Sequence, residues 1–474
     1  MPTIENTPIR SANAEVLEPS TDLRKELGLS DLVLAQLLII IVADYMGTAV
    51  KAGASHVIFW IVAIATFFIP QGLVVIHLNR RLPVEGGLYE WARVAFNDRI
   101  GFLVAWNLWL YAIIYVGLGG LLTVSFLSYV IPGALWIASS KGWIIAASFA
   151  MIACTMCVAG LGLGTGKWIN NVGAAVFLIT VGVLIAVPFA NVWHGSLKEY
   201  HPLRLVVPPI TVFSLSVFSK MTFGALTGFE YVAVFAGECH DPRRHLPRSV
   251  WVAAPIVALI YILATSAILA FVSPSSEDVV APIPQALSRG FLAFPGSAIV
   301  MPVAVLFLLI YYAATFCAFF TASTRLPMVA GWDRLLPEWF SRLHPRYKTP
   351  VNSVLFLGAA TLVVAAAALI GVGHEESFEL LLTWSFTFYG IAYLALFAIP
   401  ILARKEGGLR ASVGVRVAAA SGFLVTLLFV VLSAFPIISV GNSWKYSGKI
   451  AGIVVGANVL GYVIFRANSQ ERAS

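Results

Sequence analysis

The feature that most limits the fold is a series of long apolar runs. Residues 31–50, 57–78, 100–131, 142–160, 169–190, 211–237, 250–272, 298–324, 351–370, 379–403, 417–439 and 449–466 each carry few or no charges. About 20 such residues cross the hydrocarbon of a bilayer as a helix. Only structures that satisfy their own backbone hydrogen bonds persist there. The runs therefore predict an all-α polytopic membrane protein with twelve transmembrane helices. Charged residues are 11% of the chain, against about 25% in soluble globular chains, so the runs are not soluble cores. The remaining loops are too short to hold a soluble domain. Residues 1–30 are polar, with Pro2, Pro8 and Pro19, and read as a disordered cytoplasmic tail. Residues 467–474 form a C-terminal tail.

Lysine and arginine orient the spans. With a cytoplasmic N-terminus, 22 of the 30 fall on the inner side and 7 on the outer, leaving Lys220 inside a span. Positive charge gathers on the cytoplasmic side. Both termini are therefore expected inside, in a cytoplasmic (plasma or inner) membrane. The net charge of +7 is spread over short loops and is no nucleic-acid footprint. Four cysteines do not make a disulfide framework. "CTMC" (154–157) has C-x-x-C spacing, but it lies in an apolar run without other ligands and reads as small apolar filler. No metal and no cofactor are expected.

In this orientation spans 1 and 6 run in opposite directions, and both look interrupted. Span 1 is apolar from Leu32 to Ala43 apart from Gln36, about 18 Å of helix at 1.5 Å per residue. Asp44, Tyr45, Met46, Gly47 and Thr48 follow. Span 6 carries Lys220, Gly224, Thr227, Gly228 and Glu230 between two apolar pieces. A helical glycine costs about 1 kcal/mol relative to alanine, and an ionised side chain at the bilayer centre about 2.5–3.5 kcal/mol. Both are tolerated where irregular backbone lines a protein-walled cavity. Interrupted spans at matching places in two halves point to a transporter site. Span 1 opens the block 31–190 and span 6 the block 211–403, five spans in each, with helices 11 and 12 in 404–466 left over.

A structural reading competes: glycines serve helix packing, and Lys220 reaches for the membrane surface. Asp44 is the expected partner of Lys220, since each lies near the middle of its span. Paired, the two offset most of their burial cost. Apart, Asp44 would hold an amine and Lys220 a carboxylate. Glu230 is expected to face the inner half of the pathway and carry a proton, or else to be a solvated carboxylate near the inner mouth.

Three stretches carry a family resemblance. "GALTGFEYVAVFAGECHDPRRHLPRSV" (224–250) is similar to the sixth span and following loop of the amino acid–polyamine–organocation transporters. There a glycine-x-glutamate step precedes A-G-E, an acidic or amide residue, proline and arginine. "LPVEGGLYEWARVAF" (82–96) resembles that family's P-x-x-G-G-x-Y loop, and "TASTRLPMVAGWDRLLPEWFSRLHPRYKTPVNSV" (321–354) its S-R … D-x-L-L-P … T-P segment. The match runs over most of 31–403 in the expected order. The resemblance implies a LeuT-type 5+5 inverted repeat with broken helices 1 and 6, alternating access, and transport of amino acids or amines by proton coupling or exchange. By position, it implies that backbone around Gly47 and Thr48 takes the substrate carboxylate at a helix start. Carbonyls around Phe223, Gly224 and Thr227 would take the α-amine. Phe223 and Trp106 would be aromatic covers, Tyr45 a wall or gate, and Lys220 and Glu230 gating or proton-coupling groups.

The chain departs from the family pattern in places. The first-span G-S-G signature is here "MGTAV" (46–50), and "FFIPQGL" (67–73) is similar to glutamate–GABA exchangers and polyamine carriers. The fifth span, "INNVGAAVFLITVG" (169–182), lacks the lysine of many sodium-free members, a duty Lys220 is free to take. Ser323 and Thr324 lie where sodium-using relatives place hydroxyl ligands, although helical hydroxyls more often bond their own backbone. A membrane enzyme would need clustered His, Asp, Glu or Cys at membrane depth, but the eight histidines fall in loops or at span ends. "GLGLGTGKW" (160–168) lacks the spacing of a phosphate loop. A channel or a chloride–cation cotransporter would use the same fold. The expectation is a secondary transporter of an amino acid, with a polyamine or related amine as the alternative. Its partners are a small-molecule substrate and the lipid bilayer, with proton coupling and a homodimer left open.

Overall fold

The computed structural model describes residues 28–82, 87–131, 133–161, 163–231, 239–329, 339, 342, 349–402 and 411–471. The N-terminal tail, the last three residues, and inner-side charges such as Arg334, Arg346, Lys348, Arg404, Lys405 and Arg410 lie outside them. In chain order the main helices are α1 (Leu29–Ile40), α2 (Asp44–Val50), α3 (Gly53–Arg81), α4 (Leu88–Ala95), α5 (Asp98–Ser128), α6 (Lys141–Leu161), α7 (Leu163–Trp193) and α8 (Val212–Leu226). Then come α9 (Pro242–Leu269), α10 (Pro282–Gly290), α11 (Ser297–Val329), α12 (Val351–Ala368), α13 (His374–Leu402), α14 (Val413–Leu432) and α15 (Ser443–Glu471).

Among the described residues, ten helices are long and apolar enough to cross a membrane. α1 and α2 together make an eleventh span, bent by 54°, and α8 is a shorter apolar helix of 15 residues. Eleven of the twelve apolar runs coincide with these spans, and run 211–237 does so only over Val212–Leu226, its residues 232–237 lying outside the described residues. The chain is a multi-pass membrane protein.

α5 packs on both α13 and α11, α1 on α9 and α7, and α2 and α8 on each other, with α8 also on α14. α15 lies outermost and turns most of its apolar side chains outward. Proline shows how the spans stay satisfied. Pro70, inside α3, has no N–H and frees the carbonyl of Thr66 four residues earlier. The hydroxyl of Ser421, on α14, donates to that carbonyl at 2.6 Å, and residues 64–68 widen into a π turn.

The first expected break is described in full; at the second, α8 ends at Leu226 and the apolar continuation at 232–237 lies outside the described residues. α1 ends at Ile40, and Ile41 adopts ψ 90°, outside the helical region. No glycine or proline stands at 41–43, so local propensity does not end this helix; the tertiary structure does. The Val42 N–H donates to the Tyr261 hydroxyl (2.8 Å), which lies 3.2 Å from the Ile40 carbonyl, and the Tyr311 hydroxyl donates to the Ile41 carbonyl. Tyrosines of α9 and α11 thus take up peptide groups that a continuous helix would have paired. Gly47, expected at the unwound point, lies inside α2 instead. The second break follows Leu226: Thr227 is extended (φ −85°, ψ 158°) and Gly228 has φ 126°. Only glycine adopts that backbone without strain. Gly224 lies within α8 rather than in the unwound stretch.

Candidate functional site

The two breaks face one another. A Cβ on Gly228 would lie 3.1 Å from Ile40, and one on Gly224 would lie 1.9 Å from the ring of Tyr45. Tyr45, the second residue of α2, therefore rests flat on α8, with its ring edge-on to Phe386 of α13 (centroids 4.8 Å apart). Glycine is needed at 224 for close approach, not for unwinding.

A buried carboxylate follows each break, and tyrosines hold both. Asp44 accepts from the hydroxyls of Tyr312 (2.7 Å) and Tyr115 (3.3 Å), from α11 and α5. Glu230 accepts from the hydroxyls of Tyr389 and Tyr393 of α13, one on each carboxylate oxygen. The Tyr393 hydroxyl also accepts the N–H of Gly228 (2.9 Å). The Gln71 amide nitrogen donates to the same hydroxyl at 2.6 Å. The side chains of Asp44 and Glu230 are 1% and 4% exposed, so the expectation of a solvated Glu230 fails. Tyr45, Thr48 and Thr227 are equally enclosed, and the site is closed to solvent in this conformation. Two hydroxyls beside the breaks, Thr48 and Thr222, are buried without a hydrogen-bond partner.

Lys220 does not pair with Asp44. Its ammonium lies 2.5 Å from the Glu379 carboxylate, with both side chains almost fully buried. Nor does it reach the membrane surface. The apolar run 379–403 places Glu379 at a span end, whereas α13 begins at His374 and carries Glu379 inside. The tyrosines were missed as well. Their signal was present as Tyr111 and Tyr115, Tyr389 and Tyr393, one helical turn apart in apolar runs, and as the pair Tyr311–Tyr312.

Other expected residues fall elsewhere. Trp106 is no cover for the breaks: its indole donates to the Ala457 carbonyl of α15 (2.9 Å), and Gly461 lies against its ring. Phe223 stacks on Phe429 of α14 (4.5 Å) and touches Tyr393 from behind, so it backs the tyrosines. The Cα face of Gly47 meets Glu277 and the Val279 carbonyl, in the segment between α9 and α10, and Pro282 at the start of α10. Lys51 ties that segment down through the Pro274 carbonyl (3.1 Å) and Glu277 (3.4 Å). Ser323 and Thr324 donate to the carbonyls of Phe320 and Thr321 on their own helix. Among the described residues no cysteine forms a disulfide.

The chain is similar to known transport proteins. The family model described as "Amino acid permease" matches residues 28–456. An uncharacterized transporter of Legionella pneumophila is 26% identical over 384 residues, covering 80% of this chain and 82% of that one. A probable agmatine/putrescine antiporter, AguD, of Lactococcus lactis is 22% identical over 379 residues (80% and 78%). The Asc-type amino acid transporter 1 of Mus musculus is 23% identical over 370 residues (76% and 66%). With nearly its whole length matched, and with the expected motifs in order, this chain belongs to the amino acid permease family of the amino acid–polyamine–organocation transporters.

Proposed function

We propose that the protein is a secondary active transporter moving an amino acid across the cytoplasmic membrane by alternating access. The observation that carries this is the meeting of two helix breaks, each followed by a buried, tyrosine-held carboxylate. Helix ends leave peptide groups free: N–H groups at the start of α2 and carbonyls at the end of α8. The first suit a carboxylate and the second an ammonium, the two ends of an amino acid. Asp44, Tyr45, Gly47, Thr48, Phe223, Gly224 and Thr227 form or back the substrate site in this reading, and Lys220 and Glu230 serve gating or proton coupling. The fold is a 5+5 inverted repeat, with 31–190 and 211–403 as its halves and both termini cytoplasmic. Glu230, held by the Tyr389 and Tyr393 hydroxyls, is the proton carrier if transport is proton-coupled.

One observation favours a cationic amine as the second reading. Glu379 neutralises Lys220, and among the described residues no lysine or arginine lies within ion-pair distance of Asp44 or Glu230. Two such carboxylates suit a substrate with more than one positive charge. Counterflow in proteoliposomes separates the readings. Vesicles preloaded with unlabelled amino acids or diamines are given trace labelled solute. A carrier accumulates label transiently, a channel does not, and an enzyme alters it. Absence of counterflow across both panels would refute the transporter reading of the site.

A further inference from the structure

The ammonium of Lys220 is held by groups that would bind any primary alkylammonium. Glu379 Oε1 lies 2.5 Å away and the Tyr446 ring centroid 6.0 Å away. The Thr383 hydroxyl lies 3.5 Å from Glu379 Oε1 and 3.4 Å from the Tyr446 hydroxyl. A carboxylate, an aromatic face and a hydroxyl are the elements of ammonium recognition in a desolvated site. We propose that Glu379, Thr383 and Tyr446 form a receptor for a primary alkylammonium, filled in this conformation by Lys220 as a tethered ligand.

The placement of the parts supports this. Glu379 and Thr383 stand one turn apart on α13, and Tyr446 on α15. The occupant comes from α8, one turn before Gly224, where Tyr45 rests, and two turns before the break at Thr227–Gly228. A helix that ends in a break can withdraw Lys220 and leave the receptor intact. A buried ion pair held only for stability is a poor device, since an apolar pair of similar volume often does as well. An exchangeable occupant gives the charges a use. A zwitterion entering from this side keeps charge balanced, its ammonium on Glu379 and its carboxylate on the displaced Lys220. This last step rests on the transporter reading; the receptor itself does not, and binding tests it without transport.

Lys220→Ala removes a propylammonium from the site. On the purified variant, n-propylammonium titrated to about 50 mM is expected to raise the melting temperature by a few degrees with saturation, because it binds only the native state. n-Propanol is expected to do nothing. Wild type and Lys198→Ala, with the receptor filled, are expected not to respond, and Lys220→Ala/Glu379→Gln is expected to lose the response. No response of folded Lys220→Ala, or an equal response after Glu379→Gln, overturns the proposal. If Lys220→Ala does not fold alone, extraction in propylammonium must restore a monodisperse, Glu379-dependent species, and failure to do so also overturns it. Rescue without counterflow in the wild type would leave the receptor standing and remove the transporter reading.

Discussion

Gly224→Ala tests the contact between the two breaks. The added Cβ would lie 1.9, 2.2 and 2.3 Å from three ring atoms of Tyr45. Carbon atoms in contact lie about 3.5–4.0 Å apart, so the ring must withdraw by more than an ångström. It has little room, since Tyr45 is 2% exposed and its ring abuts Phe386 at 4.8 Å. Overpacking of this kind costs about 1–3 kcal/mol. At 1.4 kcal/mol per factor of ten, the closed conformation should lose about 5- to 150-fold in population relative to any state in which α2 and α8 separate. Thermal melting and labelled-substrate counterflow measure the two consequences: a lower melting temperature and a reduced exchange rate. Tyr45→Phe should not rescue, because the clashing ring atoms remain. Tyr45→Val should restore melting, since it removes the ring. Should Gly224→Ala melt like wild type, or Tyr45→Val fail to compensate, the direct contact is not what the glycine serves.

Further outcomes follow from the partners found. Asp44→Asn weakens two charged hydrogen bonds worth about 1.5–3 kcal/mol each and should cut transport about tenfold or more, as should Lys220→Ala, with surface expression retained. Because their partners differ, the logarithmic losses should add in the double variant; a double no worse than either single would restore the direct pair. Lys220→Ala should destabilise by about 3–5 kcal/mol, whereas Lys220→Met/Glu379→Leu recovers most of it, as melting would show. Burial raises Glu277, in the segment over α2, from 4.5 to about 8; Lys51 opposes the shift, and Asp278 and Glu375 add to it. The folded chain keeps that proton up to about pH 8 while the unfolded chain loses it near 4.5, so native stability falls across this window as pH rises. Glu277→Gln should flatten the fall in a pH series of melting curves, and parallel curves for variant and wild type would refute it.

Much of the molecule was legible in its sequence. Hydropathy is a local property, and a run of about 20 apolar residues has few ways to exist in lipid, so the spans among the described residues fell where expected. The family motifs are local strings, and they led to the permease family. Asp44, Lys220 and Glu230 stood out because charge in an apolar run is costly wherever the chain goes. Partners are another matter. Lys220 meets Glu379, 159 residues away, because of how α8 and α13 abut, and neither hydropathy nor spacing encodes which faces touch. The first break lies at Ile41–Ala43, ordinary helix formers there, because tyrosines 219 and 270 residues distant take its peptide groups. Trp106 looked like a lid and became a packing contact with the last helix. Local chemistry determined which groups had to be buried; the packing of helices far apart in the chain decided what each of them would face.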